Sequence, residues 1–237
     1  MKKPENDPKA KHQRKSQKPK QHRVLLVDDH PMIRERLAEA FAREPGLEVC
    51  GEAEDARTAL KAVSQTSPDL VIVDLSLKDS HGIDLIKDLH ALNPDLAILV
   101  VSMHDESLHA ERVIGAGARG YITKQEATKK ILTAVRTVLE GGIYLSQEAA
   151  LRVASKSAGP NVQPALPIDK LTDRELRVLE LIGQGFGTRQ IAELLKLSMA
   201  TIETYRARTK EKLGLKDASG LLQYAIRLAQ AGPRARK

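Results

Sequence analysis

Four short runs of apolar, mostly branched residues punctuate the first half of the chain: Val24-Leu25-Leu26-Val27, Leu70-Val71-Ile72-Val73, Ile98-Leu99-Val100-Val101 and Gly120-Tyr121-Ile122-Thr123. Continuous runs of this kind, without polar alternation, fit strands buried on both faces of a parallel sheet. Between them apolar residues recur at spacings near three and four, as Ile33, Leu37 and Phe41, then Leu85, Ile86 and Leu89, then Val113 and Ile114, then Ile131, Val135 and Val138. That spacing predicts helices with one buried stripe. Strand followed by helix, repeated about five times over roughly 120 residues, predicts a doubly wound α/β domain on a five-stranded parallel sheet.

The pattern changes further on. From Ser155 to Ile168 the chain carries three prolines, a glycine and no apolar period, which predicts a linker. A small all-α unit follows. Thr172 and Glu175 have the spacing of a capping box, Leu176, Val178, Leu179 and Ile182 supply an apolar face, and Gly183 and Gly185 end the helix. Next come residues 185–195, a turn at Lys196-Leu197-Ser198, and a helix from about Met199 to Leu213. Two helices about so short a turn form a helix-turn-helix. Ile202, Tyr205, Thr209 and Leu213 should face inward, leaving Ala200, Thr204, Ala207 and Glu211 outside, flanked by Glu203, Arg208, Lys210 and Lys212. Small residues permit close approach to a major groove, and basic flanks suit phosphates. A last amphipathic stretch contains Leu221, Leu222, Tyr224, Ala225 and Leu228.

Candidate chemistry sits at the ends of the strands. Asp28 and Asp29, Asp74, Ser102 and Lys124 each directly follow or close an apolar run, and in a doubly wound sheet these ends converge on one crevice. Three carboxylates in one pocket repel one another unless a cation joins them, and an all-oxygen, half-hydrated set suits Mg²⁺. An ammonium and a hydroxyl beside that ion complete what phosphoryl transfer needs: Lys124 supplies the first and Ser102 the second. One carboxylate then acts as nucleophile and forms an acyl phosphate. Asp74, central on the third strand, is the expected acceptor.

The segments Leu26-Val27-Asp28-Asp29-His30, Val71-Ile72-Val73-Asp74-Leu75 with Gly82, Val100-Val101-Ser102 and Gly120-Tyr121-Ile122-Thr123-Lys124 resemble the flavodoxin-like receiver domain of bacterial two-component response regulators. The resemblance implies Asp74 as phospho-acceptor, with Mg²⁺ held by Asp28, Asp29, Asp74 and the carbonyl of Ser76. It also implies a switch in which the Tyr121 ring moves inward as Ser102 turns to the phosphoryl group. Two positions depart from the family pattern. Residues 77–82 lack the usual Met-Pro pair, and Gln125 stands where a proline commonly follows the lysine. The second half, through Leu171-Thr172-Asp173-Arg174-Glu175, Gly185, Gln190-Ile191-Ala192, residues 201–206 and Lys212-Leu213-Gly214, resembles the LuxR-type DNA-binding domain. Receiver, linker and this module together resemble the NarL/FixJ class. The residues expected to meet double-stranded DNA are Thr188, Arg189, Thr201, Glu203, Thr204, Arg206, Ala207, Arg208, Lys210 and Lys212.

Charge divides along the same lines. Residues 1–23 hold nine Lys and Arg against two Asp and Glu, residues 24–146 thirteen against twenty, and residues 147–237 sixteen against nine. Nucleic acid should therefore meet the basic second half, and opposite charge should draw the two halves together, masking the recognition helix until Asp74 is phosphorylated. The tail lacks apolar residues for a core and is expected to be disordered. His30, His81, His104 and His109 lack the paired spacing of a zinc site and read as surface loop or cap residues. The one cysteine, Cys50, has no internal partner, which fits a reducing cytoplasm. No apolar run approaches a membrane span.

The expected divisions are a tail over 1–22, a receiver over 23–146, a helix end and linker over 147–167 and a DNA-binding domain over 168–232. The reading is a non-enzymatic cytoplasmic regulator that takes a phosphoryl group from a sensor histidine kinase onto Asp74 and acts on transcription, as a homodimer when active. The alternative is a DNA-binding protein indifferent to phosphorylation, whose receiver serves only protein interaction.

Overall fold

The computed structural model describes residues 21–77, 82–157 and 167–230, so the expected tail disorder and most of the expected linker lie outside the described residues. The first half alternates strictly: β1 (His22–Val27), α1 (Pro31–Ala42), β2 (Leu47–Ala53), α2 (Ala56–Thr66), β3 (Leu70–Val73), α3 (Gly82–Leu92), β4 (Ala97–Ser102), α4 (Glu106–Gly115), β5 (Gly120–Thr123) and α5 (Lys124–Leu139). The strands pair in parallel in the order β2-β1-β3-β4-β5.

The apolar runs are continuous because each strand feeds two cores. Leu25, Val27, Val71, Val73, Ile98 and Val100 pack with α2, α3 and α4. Their neighbours Val24, Leu26, Leu70, Ile72, Leu99 and Val101 pack with α1 and α5 around Phe41, Ile131 and Val135. Reversal of strand order beside β1 leaves a crevice at the carboxyl ends of β1 and β3, where Asp28, Asp29 and Asp74 sit.

Beyond α5 the chain adds a helix that the sequence reading did not resolve, α6 (Gln147–Ser157). Ser155, expected to open the linker, is still helical. Ser146 starts the helix: its hydroxyl accepts from the Ala149 amide at 3.2 Å, while its own amide donates to Glu106 Oε1 at 2.9 Å. The helix lies along α4 and buries Ala149.

The second half begins with a short 3₁₀ turn at Pro167–Lys170, then α7 (Asp173–Gly183), α8 (Thr188–Leu195), α9 (Met199–Leu213) and α10 (Ala218–Gln230). Thr172 and Glu175 form the predicted capping box at the start of α7. Leu176, Leu179, Ile182, Ile191, Ile202, Leu221 and Ala225 make one core. Gly183 lets α7 and α10 touch: a Cβ there would lie 2.4 Å from the Ala225 carbonyl oxygen. None of the helices among the described residues is long and apolar enough to cross a membrane.

The two halves meet through α7, and the pairing is finer than acidic against basic. Asp173 accepts from the receiver cations Lys87 and Arg112, each at 3.0 Å, while Arg174 donates to Asp84 at 2.8 Å. Leu108 of α4 packs against the apolar core of the second half. The contact does not mask α9, contrary to expectation: Ala200, Glu203, Thr204, Ala207, Arg208 and Glu211 are exposed. The facing element is α7 because its polar face carries Asp173, Arg174 and Glu180, which have partners on α3 and α4.

Candidate functional site

Asp28 and Asp29 follow β1, Asp74 follows β3, Ser102 ends β4 and Lys124 opens α5, so five strand-end positions share one crevice. Asp28, Asp74 and Ser102 are buried, and Asp29 is half-buried. The Lys124 ammonium stands between two carboxylates, with Nζ 2.7 Å from Asp28 Oδ2 and 2.8 Å from Asp74 Oδ2. Burial alone pulls the Lys124 pKa down. The Asp74 charge and hydrogen bonds to Asp28 and Asp74 more than offset that, leaving it above its ordinary value.

The other oxygen of Asp74, Oδ1, is buried without a hydrogen-bond partner. A carboxylate oxygen left this way carries an unmet cost, which a cation removes. Asp29 points to the same need: burial first, then the Asp74 and Asp28 charges, raise its pKa despite the opposing pull of His30 and Lys124. Oxygens of Asp28, Asp29 and Asp74, with a nitrogen of His30, all lie within 4.8 Å of one another. These donors fit a hard divalent ion, and receiver domains bind Mg²⁺. His30 was not singled out for this crevice. Its Nδ1 is 2.7 Å from Asp29 Oδ1 and 3.1 Å from Asp28 Oδ1, and its exposed ring shields both.

Gly82 supports the acceptor from below. A Cβ there would fall 2.4 Å from the Asp74 carbonyl oxygen and 2.6 Å from the Leu75 Cα, so only glycine lets α3 begin at this depth. Tyr121 is fully buried, with its ring already inward, and its hydroxyl donates to the His104 carbonyl at 3.0 Å. Burial holds that phenol well above its usual pKa, which keeps the proton in place for the bond. Ser76 meets His104, Oγ to Nε2, at 2.7 Å. No cis peptide occurs among the described residues, so Lys124-Gln125 is trans.

The residues expected to meet nucleic acid fall into two groups. Glu203, Thr204, Ala207 and Arg208 lie on the open face of α9, with Thr201 and Lys210 at its margins and Arg189 exposed on α8, where it pairs with Glu193. The others also hold the unit together. Thr188 donates to Glu203 Oε1 at 2.8 Å and accepts from Arg206 Nη1 at 3.0 Å, which pins the start of α8 to α9. Lys212 reaches inward to the buried Glu175 carboxylate at 2.6 Å. Burial raises the Glu175 pKa, but the hydrogen bonds from Lys212 and Thr172 outweigh it and leave it lowered.

The histidines depart most from expectation. His104 and His109 are not surface residues: they are drawn in beside α7, and His109 is only 2 % exposed. Their partner Glu180 lies 71 positions beyond His109, so no local spacing could have signalled the cluster.

Two family models match the chain, the response regulator receiver domain over residues 24–136 and the bacterial regulatory proteins of the luxR family over residues 169–225. Response regulator GacA of Pseudomonas aeruginosa is 33% identical over 205 residues, spanning 86% of this chain and 95% of that one. Transcriptional regulatory protein UhpA of Escherichia coli is 34% identical over 192 residues, spanning 81% and 91%. Among solved structures, the RcsB response regulator of Salmonella typhimurium superposes with a TM-score of 0.66 at 25% identity, covering 88% of this chain and 98% of that one. The same protein bound to promoter P1flhDC with the phosphomimetic BeF3- gives 0.62 at 26% identity, covering 87% and 98%. With both modules matched in order and relatives a third identical along most of their length, this chain belongs to the two-component response regulators of the NarL/LuxR class, transcription regulators that join a receiver to a LuxR-type helix-turn-helix.

Proposed function

We propose that Asp74 accepts the phosphoryl group and that Asp28, Asp29 and Asp74, with the Ser76 carbonyl, hold Mg²⁺ beside it. The observation that carries this reading is Asp74 Oδ1, a buried carboxylate oxygen with no donor of its own, on a group whose other oxygen is fixed by Lys124. In the transfer Asp74 forms a P–O bond as the donor's P–N bond breaks, the donor being a phosphohistidine of a sensor kinase. Held by Asp28, Asp29 and Asp74, Mg²⁺ would supply charge neutralisation for the phosphoryl group. Lys124 and Ser102 stabilise the remaining oxygens of the phosphoryl group. Incubation with acetyl phosphate and Mg²⁺ should add one phosphoryl group that hydroxylamine removes. An unchanged mass would count against the reading.

Gly82→Ala should slow this labelling by about 10- to 100-fold, the usual consequence of moving a reacting group by about an ångström. Initial rates of acetyl phosphate labelling test it.

On the effector side we propose that α9 enters the major groove, with Arg208 and Lys210 on phosphates and Thr204 and Ala207 approaching bases. Glu203 is able to accept from a cytosine amine. Arg208→Ala should weaken binding uniformly across sequences and reduce the salt slope by about one; titrations at several salt concentrations measure both. Leu222 and Ile226, one helical turn apart and exposed on α10, support dimer formation through that helix when the protein is active. The working compartment is the bacterial cytoplasm. One observation favours DNA binding independent of phosphorylation, namely the open face of α9 in this arrangement.

A further inference from the structure

Where α7 meets α4, two imidazoles from the receiver converge on one effector carboxylate oxygen. His109 Nε2 lies 2.7 Å and His104 Nδ1 3.3 Å from Glu180 Oε1, and the two ring centroids are 4.9 Å apart. All three side chains are shielded, His109 at 3 %, Glu180 at 9 % and His104 at 11 % exposure. Burial works to raise the Glu180 carboxyl, but hydrogen bonds from His104 and His109 outweigh it and hold it well below the usual range. The carboxylate is therefore an anion facing two imidazole nitrogens.

We propose that His104, His109 and Glu180 form a transition-metal site of the zinc class that ties the receiver to the DNA-binding domain. Two imidazoles and a carboxylate are the donors that such ions take, with a fourth position left for water. The donor atoms all lie within 4.8 Å of one another. Metal–ligand bonds of about 2.0–2.2 Å in a tetrahedron place donors roughly 3.3–3.6 Å apart. The His104 separation already matches, and the His109 separation widens once its hydrogen bond to the carboxylate is replaced.

The surroundings support the same reading. His104 Nε2 is 2.7 Å from Ser76 Oγ, the outer hydrogen bond that orients a metal-bound imidazole. His109 Nδ1 is buried with no partner, so when a metal takes the Nε2 position now facing Glu180 the ring proton has an unoccupied nitrogen to move to. The competing cation is Arg177, whose Nη1 lies 3.4 Å from Glu180 Oε2 and 3.2 Å from His104 Nε2. It touches neither the nitrogens nor the oxygen that would bind the ion, but its charge opposes a second cation there, so Arg177→Gln should tighten metal binding.

The site is distinct from the acidic crevice but adjoins it through one residue. His104 accepts the Tyr121 hydroxyl on its carbonyl, and its amide is 3.4 Å from Ser102 Oγ. Metal binding would thus fix the segment that the phosphorylation reading expects to move. That consequence rests on the phosphorylation reading; the metal site itself does not.

The test is a Co²⁺ titration of the full chain in excess Mg²⁺, followed by visible absorption, with Zn²⁺ as displacing ion. One equivalent should give a band of low-symmetry cobalt that Zn²⁺ removes, that survives His30→Ala and that is lost in His109→Gln and Glu180→Gln. X-ray absorption of the Zn²⁺-loaded wild type should show two imidazoles at the metal, a readout that needs no variant to fold. No band in the wild type, or a band lost with His30→Ala and kept with His109→Gln, overturns the proposal. Adding beryllofluoride separates the two readings: a weakened Co²⁺ band joins them, and an unchanged band leaves the site standing while its link to Asp74 fails.

Discussion

Asp74→Asn is expected to take up no phosphoryl group from acetyl phosphate under conditions that label the wild type fully. An amide nitrogen has no lone pair to offer for attack, and of the crevice carboxylates Asp74 is the one that follows β3 and is fixed through its other oxygen by Lys124. The fold should persist because asparagine keeps the volume and Lys124 retains Asp28 at 2.7 Å. Intact mass before and after hydroxylamine, with a thermal melt of each protein, checks both parts. Labelling of the variant at the wild-type rate would move the acceptor to Asp28 or Asp29.

Lys124→Met should be the most destabilising single change in the crevice, lowering stability by about 3–5 kcal/mol without metal. Asp28 and Asp74 are 4 % and 2 % exposed, and removing the ammonium between them leaves two buried anions facing each other. The folded-state pKa of Lys124 is raised above its ordinary 10.5. Its contribution is therefore complete at neutral pH and is lost only as pH rises through that raised value. On the proposed reading Mg²⁺ is held by the folded carboxylates, so it should restore part of the loss, growing with the logarithm of its concentration. Melts across a Mg²⁺ series read this directly. A variant as stable as wild type without metal would mean that the carboxylates do not depend on Lys124.

What could be read from residues alone was whatever a short window contains. Runs such as Leu70-Val71-Ile72-Val73 announce a strand with two buried faces, and an acid at the end of such a strand can be placed in the crevice before any coordinates exist. The capping box at Thr172 and Glu175 and the Ser198 cap on α9 are likewise local. What escaped depends on distant partners. Lys212 looked like a phosphate contact because the sequence does not show that α9 passes over Glu175. Helix α6 was not resolved because, among its described side chains, it buries only Ala149 and is held by packing on α4 and by Glu106. The opposite charges of the halves predicted attraction but not which surface would be covered. That choice is made by individual pairs, Asp173 with Lys87 and Arg112 and Arg174 with Asp84, and it leaves α9 open.

An open recognition helix in the docked form shifts the question of control from access to arrangement. Two-fold half-sites are read by two effector domains held at a fixed spacing. A receiver that grips α7 sets the direction in which α9 and the α10 face can be offered to a second chain.

The measurement that bears most directly on the account is a DNA-binding titration on a genomic fragment pool, with and without beryllofluoride and Mg²⁺, comparing wild type with Asp74→Asn. Tighter, sequence-selective binding is expected only for the wild type with beryllofluoride. Equal binding in all four conditions would contradict this expectation and leave the receiver as an interaction module on a constitutive DNA-binding protein.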